Sequence, residues 1–393
     1  MATIFEREHT VYMPTFKRQP VVLVRGEGCY VWDDAGNRYL DLVAGIAVNV
    51  LGHAHPALVG AVTEQAATLI HVSNLYYNKP QVEFAELVTS LTGMDQVFFT
   101  NSGAEANEAA IKLARKYGKL HKDGAYGIIT ATHSFHGRTL AALAATGQEK
   151  YQKPFAPMIP GFQHVPYNDL DALRAATSDT TVAVMLEPVQ GESGIYPAEA
   201  TYLRDVRSWC DSQGLLLILD EVQSGIGRTG TFLAAQGYGI AADITTLAKG
   251  LCGGLPAGAL LASGAASCFE PGDHGSTLGG NPLVCAAGLA TLRTILDNDL
   301  MTHAATAGQY FLERLEALKV QSGRIAVVRG RGLMLAMDLI DVSAADLVSA
   351  ARERGLLLNN TGPGTVRMVP PLIITTAQID DAMRILEEAL ATL

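Results

Sequence analysis

The sequence predicts an α/β protein in which a large unit on a mainly parallel sheet is joined to a smaller α+β unit. Three observations carry this expectation. From about Pro56, short apolar runs alternate with helical patterns: VFFT (97–100), GIIT (127–130), VAVML (182–186), LLLIL (215–219), ITTLA (244–248) and ALLAS (259–263). Runs so uniformly apolar suit strands covered on both faces, as parallel sheets are. The 393 residues, 48% of them hydrophobic, suffice for two cores.

Before the alternating region, Val21 to Arg25, Cys29 to Asp33 and Arg38 to Leu42 read as an antiparallel meander, separated by GEG and DAGN, which offer turn residues. After Asn281 a long helical stretch runs to about residue 320. Strands follow within RIAVVRGRGLMLAMDL and VRMVPPL, with helical patterns over 344–354 and 377–391. The expected division is an N-terminal segment at 1–55, a large domain at 56–298 and a C-terminal domain at 299–393, the first segment joining the last to form the small domain.

Composition excludes whole classes of function. A charged fraction of 17% with 39 glycines is not that of a disordered chain. The formal net charge of −10 repels a phosphate backbone and anionic lipid, and the basic grouping Arg115 to Lys122 reads as a solvated helix face. Five scattered cysteines (Cys29, Cys210, Cys252, Cys268, Cys285) form no CxxC, so reduced thiols are expected instead of a disulfide framework or metal site. MATIFEREHTVYMP carries charges where a signal peptide is apolar, and no run has membrane-spanning character. A cytoplasmic protein with no nucleic-acid or membrane partner is expected.

In open α/β sheets ligands collect beyond the C-terminal ends of the strands, so the residues after each apolar run are the candidates for chemistry. VFFT is followed by Asn101-Ser102-Gly103-Ala104-Glu105, where Ser102 and Glu105 have the spacing of a capping box. Gly103 and Ala104 would let a phosphate approach the amides at the positive helix end. LLLIL leads to Asp220, a carboxylate that needs a cationic partner such as a protonated ring nitrogen, or else is an N-cap or structural ion pair. ITTLA leads to Lys249. Among apolar strands and glycines such a lysine loses proton affinity and gains the neutral amine that Schiff-base chemistry requires; the alternative is a lysine that reaches solvent.

Other motifs carry less. GIGRTG (225–230) has dinucleotide-loop spacing without a directly preceding strand or an acidic ribose partner. His53 with His55 and His133 with His136 lack zinc spacing and read as structural histidines. RGRG (329–332) is explained by turn glycines.

Taken in order, NSGAEANEAAIKLARK, FHGRT, EPVQGE, LDEVQSGIGRTG, LAKGL and GSTLGGNP resemble the class III pyridoxal-phosphate aminotransferases. GIAVNVLGHAHP, SNLYY and VRMVPPL extend the resemblance over the chain. It implies a fold-type I transferase, pyridoxal 5'-phosphate as cofactor, and a homodimer with active sites at the interface. Lys249 resembles the Schiff-base lysine and proton shuttle, and Asp220 the carboxylate that keeps the pyridine nitrogen protonated. Val222 and Gln223 lie where the family contacts the cofactor ring and oxygen, and Phe135 where an aromatic ring stacks. Ser102, Gly103 and Ala104 match the phosphate cup, with Thr277 reaching it from the partner subunit.

The implied substrates are an ω-amino acid and 2-oxoglutarate. Within the family the motifs favour the δ-amino group of N2-acetylornithine, in arginine biosynthesis. Ornithine, succinylated donors and lysine-pathway amines are the alternatives, and a glutamate-semialdehyde-type aminomutase is a rival of another kind. Arg138 resembles the residue that binds the carboxylate distal to the reacting amine. Arg367 resembles the one that binds the α-carboxylate of glutamate, Glu192 the residue that pairs with and masks it, and Ser276 a contact to the acylated substrate from the partner. Ser193, Leu278 and Cys252 depart from the family's pattern.

Overall fold

The computed structural model describes residues 3–393. Its first element, the exposed helix Ile4–Val11, is absent from the expectations above. Its signal is a capping box in which Thr3 and Glu6 satisfy each other's backbone amides. The meander is present as β1 (Leu23–Glu27), β2 (Tyr30–Asp33) and β3 (Arg38–Asp41).

The alternating region supplies β4 (Gln96–Thr100), β5 (Gly127–Ala131), β6 (Phe162–Val165) and β7 (Thr181–Leu186). A short hairpin, β8 (Val189–Gln190) and β9 (Tyr196–Pro197), comes next. Then follow β10 (Leu216–Asp220), β11 (Ile244–Leu247) and β12 (Gly258–Ala262). The C-terminal part holds β13 (Ile325–Arg331), β14 (Met334–Leu339), β15 (Leu356–Leu357), β16 (Asn359–Asn360) and β17 (Thr365–Met368).

The central sheet has the order β4-β12-β11-β10-β7-β5-β6. Only β12 runs against the rest, pairing antiparallel with both β11 and β4. Strand alternation sends successive side chains to opposite faces, and both faces are buried. Leu217 and Leu219 of β10 enter one core with Val184 and Leu186 of β7, while Leu216 and Ile218 enter a second core with Ala183 and Met185. Both strands are buried throughout. β6, at the sheet edge, was not anticipated because FQHV has only two of its four residues apolar.

The helical stretch after Asn281 is two helices, Pro282–Asp297 and Leu300–Ser322. They are divided at Asp299, whose φ of 48° lies in the left-handed region. A second sheet, β13-β14-β17-β16, forms from the C-terminal part alone. A third joins the chain's two ends, because β15 pairs in parallel with β3 in the order β1-β2-β3-β15. Among the described residues no helix is long and apolar enough to cross a membrane.

The common direction of the strands brings the C-terminal ends of β4, β5, β7, β10 and β11 to one edge of the central sheet. The reversed β12 begins at that same edge.

Candidate active site

Beyond this edge lies a cavity of about 430 Å³. Ser102, Gly103 and Ala104 after β4 line it, as do Phe135, His136 and Arg138 after β5, Glu187 and Glu192 after β7, Asp220, Val222 and Gln223 at the end of β10, and Lys249 after β11. These groups come from the ends of five strands of the central sheet and the loops beyond them, as ligand sites on open sheets do.

The helix Gly103–His121 points its N-terminus at the cavity. Ser102 caps it by accepting from the Glu105 amide at 3.2 Å. The capping box is only half formed, since the Glu105 carboxylate turns to the backbone amide (2.6 Å) and side chain (2.9 Å) of Asn101 instead. Gly103 and Ala104 hold the first two helical positions, whose amides have no intrahelical acceptor. A Cβ on Gly103 would come within 2.8 Å of Val222, so only glycine lets the helix end approach the strand this closely.

At the floor, Asp220 is 4% exposed. Its Oδ2 accepts from Asn107 Nδ2 at 2.7 Å and lies 2.8 Å from His136 Nδ1, and its Oδ1 accepts from the Val222 amide at 3.0 Å. Asn107 also donates to the His136 carbonyl (2.7 Å) and accepts from Thr246 (2.7 Å), so its amide is fully used. Burial disfavours a charged His136, but the hydrogen bond and charge of Asp220, aided by Glu187, hold its proton affinity above the usual value. His136 is thus a structural histidine, as its spacing suggested, but one placed at the site itself. It is a buried partner of Asp220, together with Asn107, and neither role has a local sequence signal.

Lys249 has a φ of 46°, a left-handed conformation rare outside glycine, and opens a 3₁₀ turn. Its Nζ lies 3.9 Å from Glu192 Oε1. Burial lowers its pKa to about 8, with Arg367 acting the same way, while Glu192, Asp220 and Glu187 oppose. The shift is toward the neutral amine expected from the sequence, and the side chain, 21% exposed, opens into the cavity.

Glu192 Oε1 also accepts from Arg367 Nη1 at 2.6 Å and Gln223 Nε2 at 2.9 Å. Burial pushes this carboxyl up, but the charges of Arg367 and Lys249 and the hydrogen bonds of Arg367 and Gln223 bring it down to about 2. Arg367 sits behind it on β17, 1% exposed, held by Asn359 (2.9 Å) as well. Arg138, in contrast, is exposed at the cavity wall, with its guanidinium 3.8 Å over the Tyr151 ring and 5.4 Å from that of Phe135.

A strand-end residue passed over in the sequence is Glu187. Its Oε2 accepts from the Phe135 amide (2.9 Å) and its Oε1 from the Gly191 amide (3.2 Å), tying the loops on either side of the cavity. Burial raises its pKa to about 7; His136 opposes and Asp220 adds to the rise. Its position after VAVML was the signal that could have found it.

Ser276 and Thr277 do not line the cavity of their own chain. Thr277 is exposed, and Ser276 accepts from Asn101 (3.1 Å) and from the Gly279 amide (3.0 Å) beside a separate depression lined by Asn74, Gln81 and Phe99.

The cavity thus combines an amine of lowered basicity, a fixed carboxylate at the floor and a helix N-terminus at the wall. The profile of the family described as Aminotransferase class-III matches residues 12–390, and the chain belongs to that family. It is 51% identical over 385 residues to the acetylornithine aminotransferase of Caldanaerobacter subterraneus subsp. tengcongensis, covering 98% of each chain. It resembles an ornithine aminotransferase from Toxoplasma gondii, a structure described with partial occupancy of PLP at the active site. That match has a TM-score of 0.94 at 32% identity and covers 99% of this chain and 94% of the other. An acetylornithine aminotransferase from Elizabethkingia anophelis matches with a TM-score of 0.88 at 36% identity, covering 99% and 98%.

Proposed function

We propose that this aminotransferase uses pyridoxal phosphate to move the δ-amino group of N2-acetyl-L-ornithine to 2-oxoglutarate. The products are N-acetyl-L-glutamate 5-semialdehyde and L-glutamate, placing the enzyme in arginine biosynthesis. The observation that carries the choice of an ω-amine donor is the Glu192–Arg367 pair, 2.6 Å apart, next to Lys249, and the 51% identity to an acetylornithine aminotransferase supports acetylornithine among such donors. An ω-amine has no carboxylate beside its reacting carbon, so an open Arg367 would be a buried, unpaired cation in that half-reaction. Glu192 neutralises it, and departs when the α-carboxylate of glutamate or 2-oxoglutarate arrives.

The donor set fits the cofactor. Lys249 would hold it covalently, Ser102, Gly103 and Ala104 would receive its phosphate at the helix N-terminus, Asp220 would meet its ring nitrogen, Phe135 and Val222 would flank the ring, and Gln223 would contact its oxygen. When bound, it supplies a carbonyl carbon that captures amines and a ring that accepts the electron pair left by a broken C–H bond. Asp220, fixed by Asn107 and His136, keeps its charge aimed at one place without reorganising. Lys249 Nζ, once free, takes the proton from the amine-bearing carbon of the substrate and later returns one. Arg138 binds the carboxylate far from the reacting amine, and its exposure at the wall leaves it open to substrates of different length.

A homodimer completes the site in this reading. Thr277 and Ser276 do not line their own cavity, and Leu75, Tyr76, Tyr77 and Leu278 nearby are exposed, Tyr77 fully. Thr277 would then serve the partner's phosphate cup and Ser276 the partner's acylated substrate. The small domain would comprise residues 1–55 and 299–393, a reading supported by the β3–β15 pairing.

The deciding experiment compares kcat/KM for acetylornithine, ornithine and succinylornithine with 2-oxoglutarate as acceptor. Acetylornithine is expected to lead. A clear preference for another donor would overturn the substrate assignment, and turnover without 2-oxoglutarate would point to amine transfer within one molecule.

A further inference from the structure

Glu192 belongs to a loop, Gly191 to Ile195, at the tip of the β8–β9 hairpin. Two arginines of one small sheet hold that loop. Arg367 of β17 binds its carboxylate. Arg329 of β13, in the RGRG segment, donates from Nε to the carbonyls of Gly194 (2.8 Å) and Ile195 (3.0 Å) and lies 4.1 Å over the Tyr196 ring. The rest of its guanidinium grips both oxygens of Asp338 on β14, with Nη2 at 2.9 Å from Oδ1.

The contacts close into a ring. Thr365 donates to the same Asp338 oxygen at 2.7 Å, pairs with Asp338 across the β14–β17 ladder, and precedes Arg367 on β17. The path runs from Glu192 to Arg367, along β17 to Thr365, across to Asp338 and Arg329, and back to the loop that carries Glu192. The backbone at the Arg329 anchor is also unusual. Ile195 has a φ of 57°, costly for a β-branched residue, and is fully buried with Val189, Met334 and Ala336. Gly194 has a φ of 122°, and a Cβ there would approach Arg329 Nη2 to 3.1 Å.

We propose that Arg329 is a positioning residue for substrate selection. By fixing the carbonyls of Gly194 and Ile195 to the sheet that carries Arg367, it sets the pivot about which Glu192 leaves and returns, and hence the balance between masked and open Arg367. This rests on the reading of Glu192 as the mask. Glycine turns alone do not account for RGRG, because Arg329 joins the hairpin to the sheet through every nitrogen of its fork.

Arg329→Lys tests this, since an ammonium keeps the charge but cannot reach two carbonyls and two carboxylate oxygens together. Single-turnover measurements should show kcat/KM for the acetylornithine half-reaction falling about tenfold, while the glutamate half-reaction changes less than about threefold. Hydrogen exchange should quicken over residues 189–197 and stay unchanged elsewhere. In a Glu192→Gln background, Arg329→Lys should not alter the ratio of the half-reactions further. Asp338→Asn, which only weakens the grip, carries the same test if Arg329→Lys does not fold. Equal losses in both half-reactions, or an unchanged effect in the Glu192→Gln background, would overturn the role of Arg329. If Glu192→Gln alone proves unselective, the mask itself falls, and the positioning role with it.

Discussion

At the cavity floor Asp220, Asn107 and His136 are each at most 4% exposed and are locked by hydrogen bonds of 2.7 to 2.8 Å. At the wall Arg138 is exposed and rests on the faces of Tyr151 and Phe135, while Glu192 rides on a hairpin tip. In the proposed reaction the floor would meet the cofactor ring, which serves both half-reactions alike. The wall would meet what differs between the substrates, the number and place of carboxylates. Preorganisation is useful where charge always develops at one spot, and accessible charged groups where the ligand changes.

Removing the reacting amine or breaking the floor should cost most. Lys249→Ala is expected to lower kcat at least about 10³-fold and to abolish borohydride fixation of pyridoxal phosphate to the protein. Normal turnover by such a variant would remove Lys249 from the mechanism. Asp220→Asn should lower both half-reactions together, by about 10²- to 10³-fold, because the floor serves both substrates. A loss confined to one half-reaction would contradict the contrast drawn between floor and wall.

Perturbing the wall should cost less and show up in binding. Arg138→Lys should raise KM for acetylornithine and 2-oxoglutarate by about tenfold while kcat stays within about threefold, since a point charge replaces a planar fork. Steady-state kinetics with each substrate varied in turn checks this, and a fall in kcat with unchanged KM would disprove the assignment.

The smallest effect is a shift in a pH profile. Lys249, lowered from 10.5 to about 8, is protonated below that value and neutral above it. Its capture of pyridoxal phosphate by cofactor-free protein should therefore speed up from about pH 6.5 and level off by about pH 9, whereas an ordinary lysine would keep gaining about tenfold per unit. Glu192 favours the protonated amine, so Glu192→Gln should move the midpoint to lower pH, by less than about one unit. A midpoint that stays near 10 would show that burial does not tune this amine.

The apolar runs placed six strands of the central sheet, and the residues after them included Ser102, Asp220 and Lys249. Those features depend on neighbours in the chain: a run of buried side chains, a cap three residues from its amide, a polar residue at a strand end. The break at Asp299 and the edge strand β6 escaped because their local patterns are weak. The resemblance of ordered motifs supplied Glu192, Arg138 and Arg367, which composition and spacing alone did not single out.

The amino-acid sequence by itself determined the alternation of strands and helices, the sparse charge, and the strand ends where reactive groups stand. Only the tertiary structure decided which of those groups meet. His136 reaches Asp220 across 84 residues and Arg367 reaches Glu192 across 175. Glu187 ties the amides of Phe135 and Gly191, and Arg329 anchors a loop more than a hundred residues before it. Such contacts have no local signature, because they are fixed by the order and direction of strands in the sheets and by the low-dielectric interior that makes each buried charge seek a partner.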